Sequence, residues 1–229
     1  MTTEILPVTE RTQMRRLRER QVYDRAVLNA ILDSGLVAHV ALCIDGGPVL
    51  LPVAYARSGD RLLLHGSTGA GLLRAAARGA PIAVAVTHLD GLVFARSIFE
   101  SSMNYRSAVV FGTARVLDGA ERIDALRALS DHLMPGRWDE VRPPTKRELA
   151  ATLVLALNLD EVSVKVRTGG PSAEDDADPN IWAGVLPLGV RTGEPVPADD
   201  LPPGVAPPES VHAVRRRHDH GTTSTDRQR

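Results

Sequence analysis

The chain has 229 residues, of which 43% are hydrophobic and 24% charged, a balance typical of a globular domain rather than a disordered chain. Its formal net charge of −1 gives no overall field that would select nucleic acid or an anionic membrane surface as a partner. The longest apolar runs fall short of the roughly 18–20 residues that cross a bilayer, and residues 1–20 lack the apolar segment of a secretory signal. The single cysteine, Cys43, cannot form an internal disulfide. These features predict a cytoplasmic protein.

The first third of the sequence predicts a basic arm, a helix and an antiparallel meander. Residues 1–20 are polar and basic and predict an extended arm. Apolar residues near helical spacing predict a helix over 22–32, which the Asp-Ser-Gly sequence after it ends. Three apolar runs joined by short turns follow, and consecutive strands of this kind pair antiparallel; they cover residues 36–44, 48–56 and 61–67.

The remaining two thirds predict more strands than helices. An Ala-rich helix over 67–79 and a longer helix over 119–134 are the two helical segments. The apolar strand-like segments are residues 81–89 and 91–99 around Asp90-Gly91, then 107–117 and 152–167. Six or seven strands with few helices between them predict a mostly β fold, an antiparallel barrel with flanking helices.

The C-terminal end of the sequence predicts disorder. Residues 206–229 are rich in Pro, Arg, His and Thr and have too little apolar area to offset the entropy of ordering. We therefore expect one folded domain over residues 21–205, preceded by the arm and followed by this tail. His218 and His220 have the spacing of a metal chelate, but polar tails are usually solvated, so no metal site is expected.

The common catalytic signatures are missing from the sequence. It contains no phosphate-binding P-loop, no Cys-x-x-Cys, no His-Glu-x-x-His and no Gly-x-Ser-x-Gly motif. Two polar segments next to apolar strands remain as candidates for chemistry: "HGSTGAG" at residues 65–71 and "SSMNYRS" at residues 101–107.

The segment 65–71 predicts either an anion site or a helix cap. A strand ends at His65, and hydroxyl residues lead directly into a predicted helix. Free backbone N–H groups at a helix start, together with the hydroxyls of Ser67 and Thr68, would suit a phosphate. Alternatively, Ser67 or Thr68 is simply the helix N-cap, which spacing alone favours.

The segment 101–107 supplies hydrogen-bond donors and one cation within seven residues. This composition suits a polar, phosphorylated or carbonyl-rich ligand. The alternative is a turn in which Asn104 and the serines bond their own backbone while Arg106 is solvated. The residues alone do not separate these two interpretations.

The order of several motifs resembles a known family. The motifs are "HVAL", "GGPVLLPVAYA", "LLLHGS" and "APIAVAVTHLDGLVFARSIFESSMNYRSAVVFGTA". Together they are similar to the flavin-nucleotide-binding branch of the pyridoxamine 5′-phosphate oxidase-like superfamily, which includes the nitroimidazole-resistance proteins. The similarity extends from residue 11 to about residue 205. It implies a split β-barrel, an intertwined homodimer, and FMN bound in two grooves at the dimer interface.

The resemblance also implies a set of flavin-binding residues. The groove would be lined by Asn104, Tyr105, Arg106 and Ser107. The ribityl-phosphate end would contain His65, Gly66, Ser67 and Thr68. The backbone of Pro52 and Val53 would contact the isoalloxazine edge, and Trp182 of the other subunit would cover the ring. Gly71 and Leu72 stand where relatives commonly have a cation for the phosphate, so Arg74 or Arg106 would have to supply that charge.

The function implied by this resemblance is that of an FMN-dependent oxidoreductase acting on a small molecule. No catalytic residue is assigned, although Tyr105 and His65 are nearest to the implied groove. One alternative is a flavin- or haem-binding protein without turnover, with His39, His65 or His88 as the haem ligand. Another is a deazaflavin-dependent reductase, whose acidic cofactor tail would need a basic patch such as residues 11–20.

Overall fold

A computed structural model describes residues 4–172 and 178–219 of the chain. Within these residues, ten strands form an antiparallel sheet accompanied by six α-helices. The strands are β1 (Gln21–Val22), β2 (Val37–Ile44), β3 (Gly47–Ser58), β4 (Arg61–Ser67), β5 (Pro81–Phe94), β6 (Ser102–Thr113), β7 (Arg115–Val116), β8 (Thr152–Asn158), β9 (Glu161–Arg167) and β10 (Gly184–Pro187). The helices are α1 (Arg25–Ser34), α2 (Gly71–Ala77), α3 (Gly119–Leu133), α4 (Arg137–Glu140), α5 (Lys146–Ala151) and α6 (Glu209–Asp219). No helix among the described residues has both the length and the apolar character to cross a membrane.

The sheet is unclosed, and β3 joins its two halves. The strand order is β1-β9-β6-β5-β2-β3-β4-β8-β7, with β10 paired to β5. Residues 47–54 of β3 pair with β2, whereas Tyr55–Ser58 pair with β4. A strand that leaves one half of a sheet and enters the other forms a corner of a barrel. This is the antiparallel, split β-barrel with flanking helices that the sequence predicts.

The β2–β3 hairpin confirms the short turn that the sequence predicts between its first two apolar runs. Asp45 and Gly46 form a two-residue loop with φ of +50° and +80°. Positive φ at both loop positions is the type I′ geometry, which matches the twist of the two strands.

The region around Asp90 is one strand rather than the predicted pair of strands 81–89 and 91–99. Strand β5 pairs with β6 on both sides of Asp90, where the register shifts by one residue as in a β-bulge. The Asp90 carboxylate receives two hydrogen bonds of 2.9 Å from Arg106 on β6. An Asp-Gly pair is therefore a bulge here, because the aspartate is held by the neighbouring strand. The predicted strand 152–167 is likewise divided into β8 and β9.

Helix α1 fills the interior of the barrel, as the helical spacing predicts. Leu28, Ile31 and Leu32 are fully buried against the inward residues of the strands. Tyr55, also fully buried, donates a hydrogen bond of 2.7 Å from its hydroxyl to the carbonyl of Leu32. Asp24 caps the helix by accepting from the amide of Ala26 at 2.8 Å. Helix and barrel therefore share a single core.

A second, smaller core lies on the outer face of β4 and β8. Leu63 and Val154 point outward from these strands and are buried against Ala125 and Leu129 of helix α3. This half of the outer surface is covered by the chain's own helix.

The other half of the outer surface has no such cover within the described residues. Its outward positions alternate with buried core residues along β2, β5 and β6, and it continues onto β3, whose residues 48–52 are all exposed. We call this surface the open face; it contains Val37, His39, Leu50, Pro52, Leu89, Tyr105 and Ser107. Val37 and Leu50 expose 51% and 63% of their surface. Apolar exposure of this extent marks a surface that binds something.

The C-terminal segment contradicts the predicted disordered tail over the residues that form α6. Ser210 is buried, and its amide and hydroxyl donate to the carboxylate of Glu140 at 2.9 and 2.5 Å. Arg217 donates to the carbonyl of His132 at 2.6 Å. Polar anchors rather than apolar area hold the helix, so hydropathy did not indicate it. The rest of the predicted tail, residues 220–229 with His220, lies outside the described residues.

The N-terminal arm lies against the sheet instead of extending away from it. Leu6 and Thr12 are buried, and the Thr9 hydroxyl donates to Glu161 of β9 at 2.7 Å. Arg11 pairs with the same carboxylate at 3.6 Å. The arm is thus packed against the body of the domain.

Candidate functional site

The polar segment on β6 divides its side chains between two faces because residues alternate along a strand. Tyr105 and Ser107 face outward, whereas Asn104 and Arg106 share the side of the buried Ala108. Tyr105 and Ser107 therefore place hydroxyl groups on the open face, next to exposed apolar residues of the neighbouring strands.

Asn104 is engaged inside the chain. It is 9% exposed and donates from its Nδ2 to the carbonyl of Gly169 at 3.0 Å. Its Oδ1 accepts from Arg167 at 2.5 Å. These bonds attach the segment after β9 to β6. The structure therefore gives Asn104 a role in positioning that segment.

Arg106 forms a bidentate ion pair with Asp90. The hydrogen bond to that carboxylate raises the pKa of the guanidinium above its usual value. The pair borders a cavity of about 430 Å³ that also contacts His88 and Leu188. Because its charge is already balanced by Asp90, Arg106 does not offer the spare cation that the sequence analysis assigned to a flavin phosphate.

The surroundings of Tyr105 and Ser107 include one cation. The Lys165 ammonium lies 5.7 Å from the centre of the Tyr105 ring. The Ser107 hydroxyl donates to the Lys165 carbonyl at 3.4 Å, a long hydrogen bond that leaves its lone pairs available. Two hydroxyls and an ammonium thus lie together at this edge of the open face.

For the "HGSTGAG" segment the sequence predicts either a phosphate site on free backbone amides or a helix cap by Ser67 or Thr68, and the structure differs from both. Helix α2 begins at Gly71, and neither Ser67 nor Thr68 is its cap. The backbone amides of residues 68–70 donate to the carbonyl of Ala151, to the Ser67 hydroxyl and to the Ser67 carbonyl. They are therefore not free to form the predicted phosphate cradle. The Ser67 hydroxyl stabilises the turn that leads into the helix.

Gly66 is required by packing. A Cβ atom at this position would lie 2.4 Å from Cδ1 of Leu73, a buried residue of α2. The glycine lets helix α2 approach strand β4 closely.

The other implied flavin residues are at separate surface positions. Pro52 is exposed on the open face, and Val53 points the other way and packs against the main core. Trp182 is 67% exposed, with its ring centre 5.8 Å from that of Phe94. It also covers Gly184, where a Cβ would lie 2.8 Å from the indole.

The implied flavin residues therefore form two groups rather than one. The first lies on β6, and the second, residues 65–68, begins at the end of β4. Along the sheet, β5, β2 and β3 separate these two strands, with Pro52 on the intervening β3. The sheet of one chain does not place the two groups side by side.

A cavity next to His65 was missed by sequence reasoning. It has a volume of about 480 Å³ and lies between the outer face of β4 and the helices α3, α4 and α5. Its lining is His65, Leu126, Ser130, Trp138, Val141, Arg142, Pro144, Glu148, Leu149 and Thr152. These residues are spread over 88 positions, so no local motif indicates them. One of the chain's two tryptophans, at 138, was the only available signal.

His65 has an unusual environment within this cavity. Its Nδ1 is buried and has no hydrogen-bond partner. Burial lowers the pKa of the imidazole, because the charged form is disfavoured away from water. The ring is thus neutral near pH 7 and has the capacity to bind another group.

Other histidines and the cysteine differ from His65. His88 is held by the carbonyl of Ile31 at 2.9 Å, and His132 by that of Gly35 at 2.6 Å. His39 and Cys43 are exposed. Across residues 4–172 and 178–219, no three His, Cys, Asp or Glu side chains form a group able to hold a metal ion.

Comparison with known proteins decides the family. The sequence pattern of the pyridoxamine 5′-phosphate oxidase family matches residues 24–166. The chain belongs to this family. No curated protein matches the chain.

Two solved structures resemble this chain over most of its length. The FAD and haem binding protein from Mycobacterium smegmatis is 46% identical, with a TM-score of 0.83 over 86% of this chain and 97% of that chain. The flavocytochrome Anf3 from Azotobacter vinelandii is 35% identical, with a TM-score of 0.84 over 90% of this chain and 96% of that one.

A third structure is similar in fold alone. It is described as a 5-nitroimidazole antibiotic resistance protein from Bacteroides thetaiotaomicron and is 18% identical, with a TM-score of 0.55 over 64% of this chain and 86% of that chain. The family resemblance and the split-barrel fold predicted from the sequence are both confirmed.

Proposed function

We propose that this protein is a flavin-dependent oxidoreductase acting on a small molecule. The observation that carries the proposal is a similarity to two proteins that covers most of each chain. One is described as an FAD and haem binding protein and the other as a flavocytochrome. A bound flavin supplies the redox chemistry by accepting and returning one or two electrons. The protein then has to bind and orient the cofactor and limit the access of water.

The flavin lies on the open face in this proposal. That surface combines exposed apolar residues with the hydroxyls of Tyr105 and Ser107 and the ammonium of Lys165. An isoalloxazine ring needs apolar contact on its faces and hydrogen-bond donors at its edge, and such mixed sites are typical of cofactor pockets. Pro52 and Val53 contribute backbone groups on strand β3, which is separated from β6 by β5 and β2.

We further propose that the active form is a homodimer. Strands β5, β2 and β3 separate the two groups of flavin residues within one chain. A second copy packed on the open face would bring Tyr105 and Ser107 of one chain towards Ser67 and Thr68 at the end of β4 of the other. It would also cover apolar residues such as Val37 and Leu50. Two-fold packing of identical surfaces is the commonest way to bury such a face.

The identity of the flavin nucleotide is a separate question. The family resemblance in the sequence implies FMN, whereas the first relative is named for FAD. The hydroxyls of Ser67 and Thr68 are available for a phosphate, although the amides of residues 68–70 are not. Heat release of the bound flavin followed by chromatography distinguishes FMN from FAD.

The binding proposal is tested by single hydroxyl deletions on β6. Loss of one hydrogen bond costs about 1 kcal/mol, so Ser107→Ala should weaken flavin binding about five-fold in a fluorescence titration. Tyr105→Phe should act in the same direction. Ser58→Ala, at the far end of β3, is the matched control and should leave the affinity unchanged. Unchanged affinity in both β6 variants would show that the flavin does not bind at this segment.

Haem binding is a second candidate function. It is favoured by the names of the same two relatives, a haem binding protein and a flavocytochrome. Within this chain it is favoured by the cavity beside His65 and by the unpartnered Nδ1 of that ring. Titration of the protein with hemin, followed by the Soret band, tests whether haem binds at all.

A further inference from the structure

The cavity beside His65 has the size and lining of a cofactor site. Its volume of about 480 Å³ falls within the range of about 300–1,000 Å³ that is usual for small-molecule and cofactor pockets. Leu126, Trp138 and Leu149 supply apolar walls, and Arg142 contributes a guanidinium. A planar apolar macrocycle is the kind of ligand that matches an apolar slot of this size.

The arginine in the cavity lining, Arg142, is held in place by an ion pair. Arg142 donates to both carboxylate oxygens of Glu148, at 2.9 and 2.6 Å. Glu148 is fixed in turn by the capping box with Thr145 at the start of α5. The charge of this guanidinium is thus balanced by Glu148, and the ion pair forms a polar edge of the cavity rather than a free cation.

His65 differs from the histidines that the rest of the chain already uses. His88 and His132 have a ring nitrogen bonded to a backbone carbonyl, at 2.9 and 2.6 Å. His39 is exposed on the open face. His65 combines a cavity wall with a buried Nδ1 that nothing in the described chain satisfies. Buried polar groups without partners are rare and indicate an absent ligand or a functional role.

The lining of the cavity also specifies how many protein ligands a bound iron would have. Among the described residues that line it, His65 is the one imidazole, and none is a cysteine or a methionine. Imidazole, thiolate and thioether are the usual axial ligands of haem iron. The far side of the cavity therefore offers no second axial ligand of these types.

We propose that this cavity is a haem site in which His65 is the single axial protein ligand and the opposite position is open to small exogenous ligands. The proposal rests on the haem-binding function proposed above and adds its location, its ligand and its coordination. The haem is high-spin in the ferric state and binds carbon monoxide in the ferrous state.

The first experiment compares hemin binding by wild type, His65→Ala and the matched control His39→Ala. In His65→Ala the hemin affinity should fall at least ten-fold, and added imidazole should restore the Soret band by replacing the missing ring. His39→Ala should bind hemin as wild type does. The circular dichroism spectrum should be unchanged in each variant, and flavin content is measured on each to show whether either histidine also supports flavin binding.

The second experiment locates the haem without altering its ligand. The chain has two tryptophans, Trp138 in the cavity wall and Trp182 on the surface beside Phe94. Bound haem quenches nearby tryptophan fluorescence by energy transfer. Trp182→Phe retains only the cavity tryptophan, so its emission should be almost fully quenched. Trp138→Phe retains only Trp182 and should be quenched less.

The outcomes separate this inference from the function on which it rests. Absence of hemin binding in wild type would overturn the haem function itself. Wild-type affinity in His65→Ala, or a low-spin spectrum with two histidine ligands, would overturn the assignment of His65 while leaving haem binding intact. Loss of flavin in His65→Ala with hemin binding retained would show instead that the cavity is a flavin site.

Discussion

Two triplets of neighbouring strands have similar sequences and opposite environments. Leu62-Leu63-Leu64 on β4 is buried on both faces, each residue exposing at most 1% of its surface. Val49-Leu50-Leu51 on β3 exposes 37%, 63% and 39%. Helix α3 covers the outer face of the first triplet, and no described part of the chain covers the second. An apolar run on both faces of a strand thus requires cover, but the run does not tell whether the cover belongs to the same chain.

Because helix α3 covers one half of the outer surface and no described part of the chain covers the other, the two halves have separate roles. The covered half is completed by intramolecular packing and contains the His65 cavity between the sheet and its helices. The open face is incomplete without another molecule, which we propose to be a flavin and a second copy of the chain. The following measurements compare the two halves, beginning with the largest expected effect.

Removal of a core side chain in the covered half should produce the largest loss. Leu63→Ala should lower the free energy of unfolding by about 2–4 kcal/mol, because a leucine enclosed between β4 and α3 leaves a cavity behind. Urea denaturation measures this value. Leu50→Ala is the matched control on the open face and should change the unfolding of a dilute monomer by less than about 0.5 kcal/mol. Equal losses in the two variants would contradict the distinction between the halves.

A charge on the open face should act on association. Leu50→Arg should weaken the proposed dimer about ten- to a hundred-fold, because it replaces about 1.5–3 kcal/mol of apolar burial. Sedimentation equilibrium at several concentrations gives the dissociation constant. Val116→Arg, on strand β7 in the covered half, should leave that constant unchanged. If wild type itself is a monomer at micromolar concentration, the dimer proposal is wrong.

The anchoring of α6 should depend on one hydroxyl. Ser210→Ala removes the hydrogen bond of 2.5 Å to Glu140 and should loosen the helix without unfolding the barrel. Limited trypsin digestion should then cut at Arg215–Arg217 several times faster than in wild type. Digestion after Arg61, at the start of β4, serves as the internal control and should keep its wild-type rate. Identical cleavage of α6 in both proteins would show that the remaining contacts suffice to hold it.

The smallest effect is expected from acidification through the titration of His132. Burial is the main cause that lowers the pKa of this ring, so the folded protein favours the neutral form. The stability from the neutral ring is fully present above the unfolded pKa of about 6.5 and is lost as pH falls through the lower folded value. Urea midpoints at pH 8 and pH 5 should show a smaller drop in His132→Gln than in wild type. An equal drop would mean that other groups cause it.

The sequence predicted those parts of the fold in which local signals agree with tertiary contacts. Strands β2 to β4 and helix α1 fall close to their predicted positions, since the type I′ turn and the helical spacing are properties of neighbouring residues. The Asp90 bulge was not predictable, because its cause is Arg106 on another strand. Helix α6 was missed because the contacts that hold it are polar and come from distant segments.

The candidate site was predictable to a similar extent. The resemblance in motif order led to the correct family, and the flavin-binding roles that it implies for Tyr105 and Ser107 stay predictions. It could not show that Asp90 neutralises Arg106 or that the amides of residues 68–70 are already bonded. The His65 cavity depends on residues from five separate elements, so only the folded chain brings it into view.

Strand β3 has a consequence for protein engineering, because it supplies hydrogen-bonded edges to both halves of the sheet. No cut of the chain yields one fragment with the open face and another with the His65 cavity, each with its own complete sheet. The Asp45-Gly46 loop at one end of β3 is exposed and is the suitable place for a circular permutation or an inserted reporter. The corner at Ala54-Tyr55 is the opposite case: an insertion there would separate the two candidate cofactor sites and dismantle both.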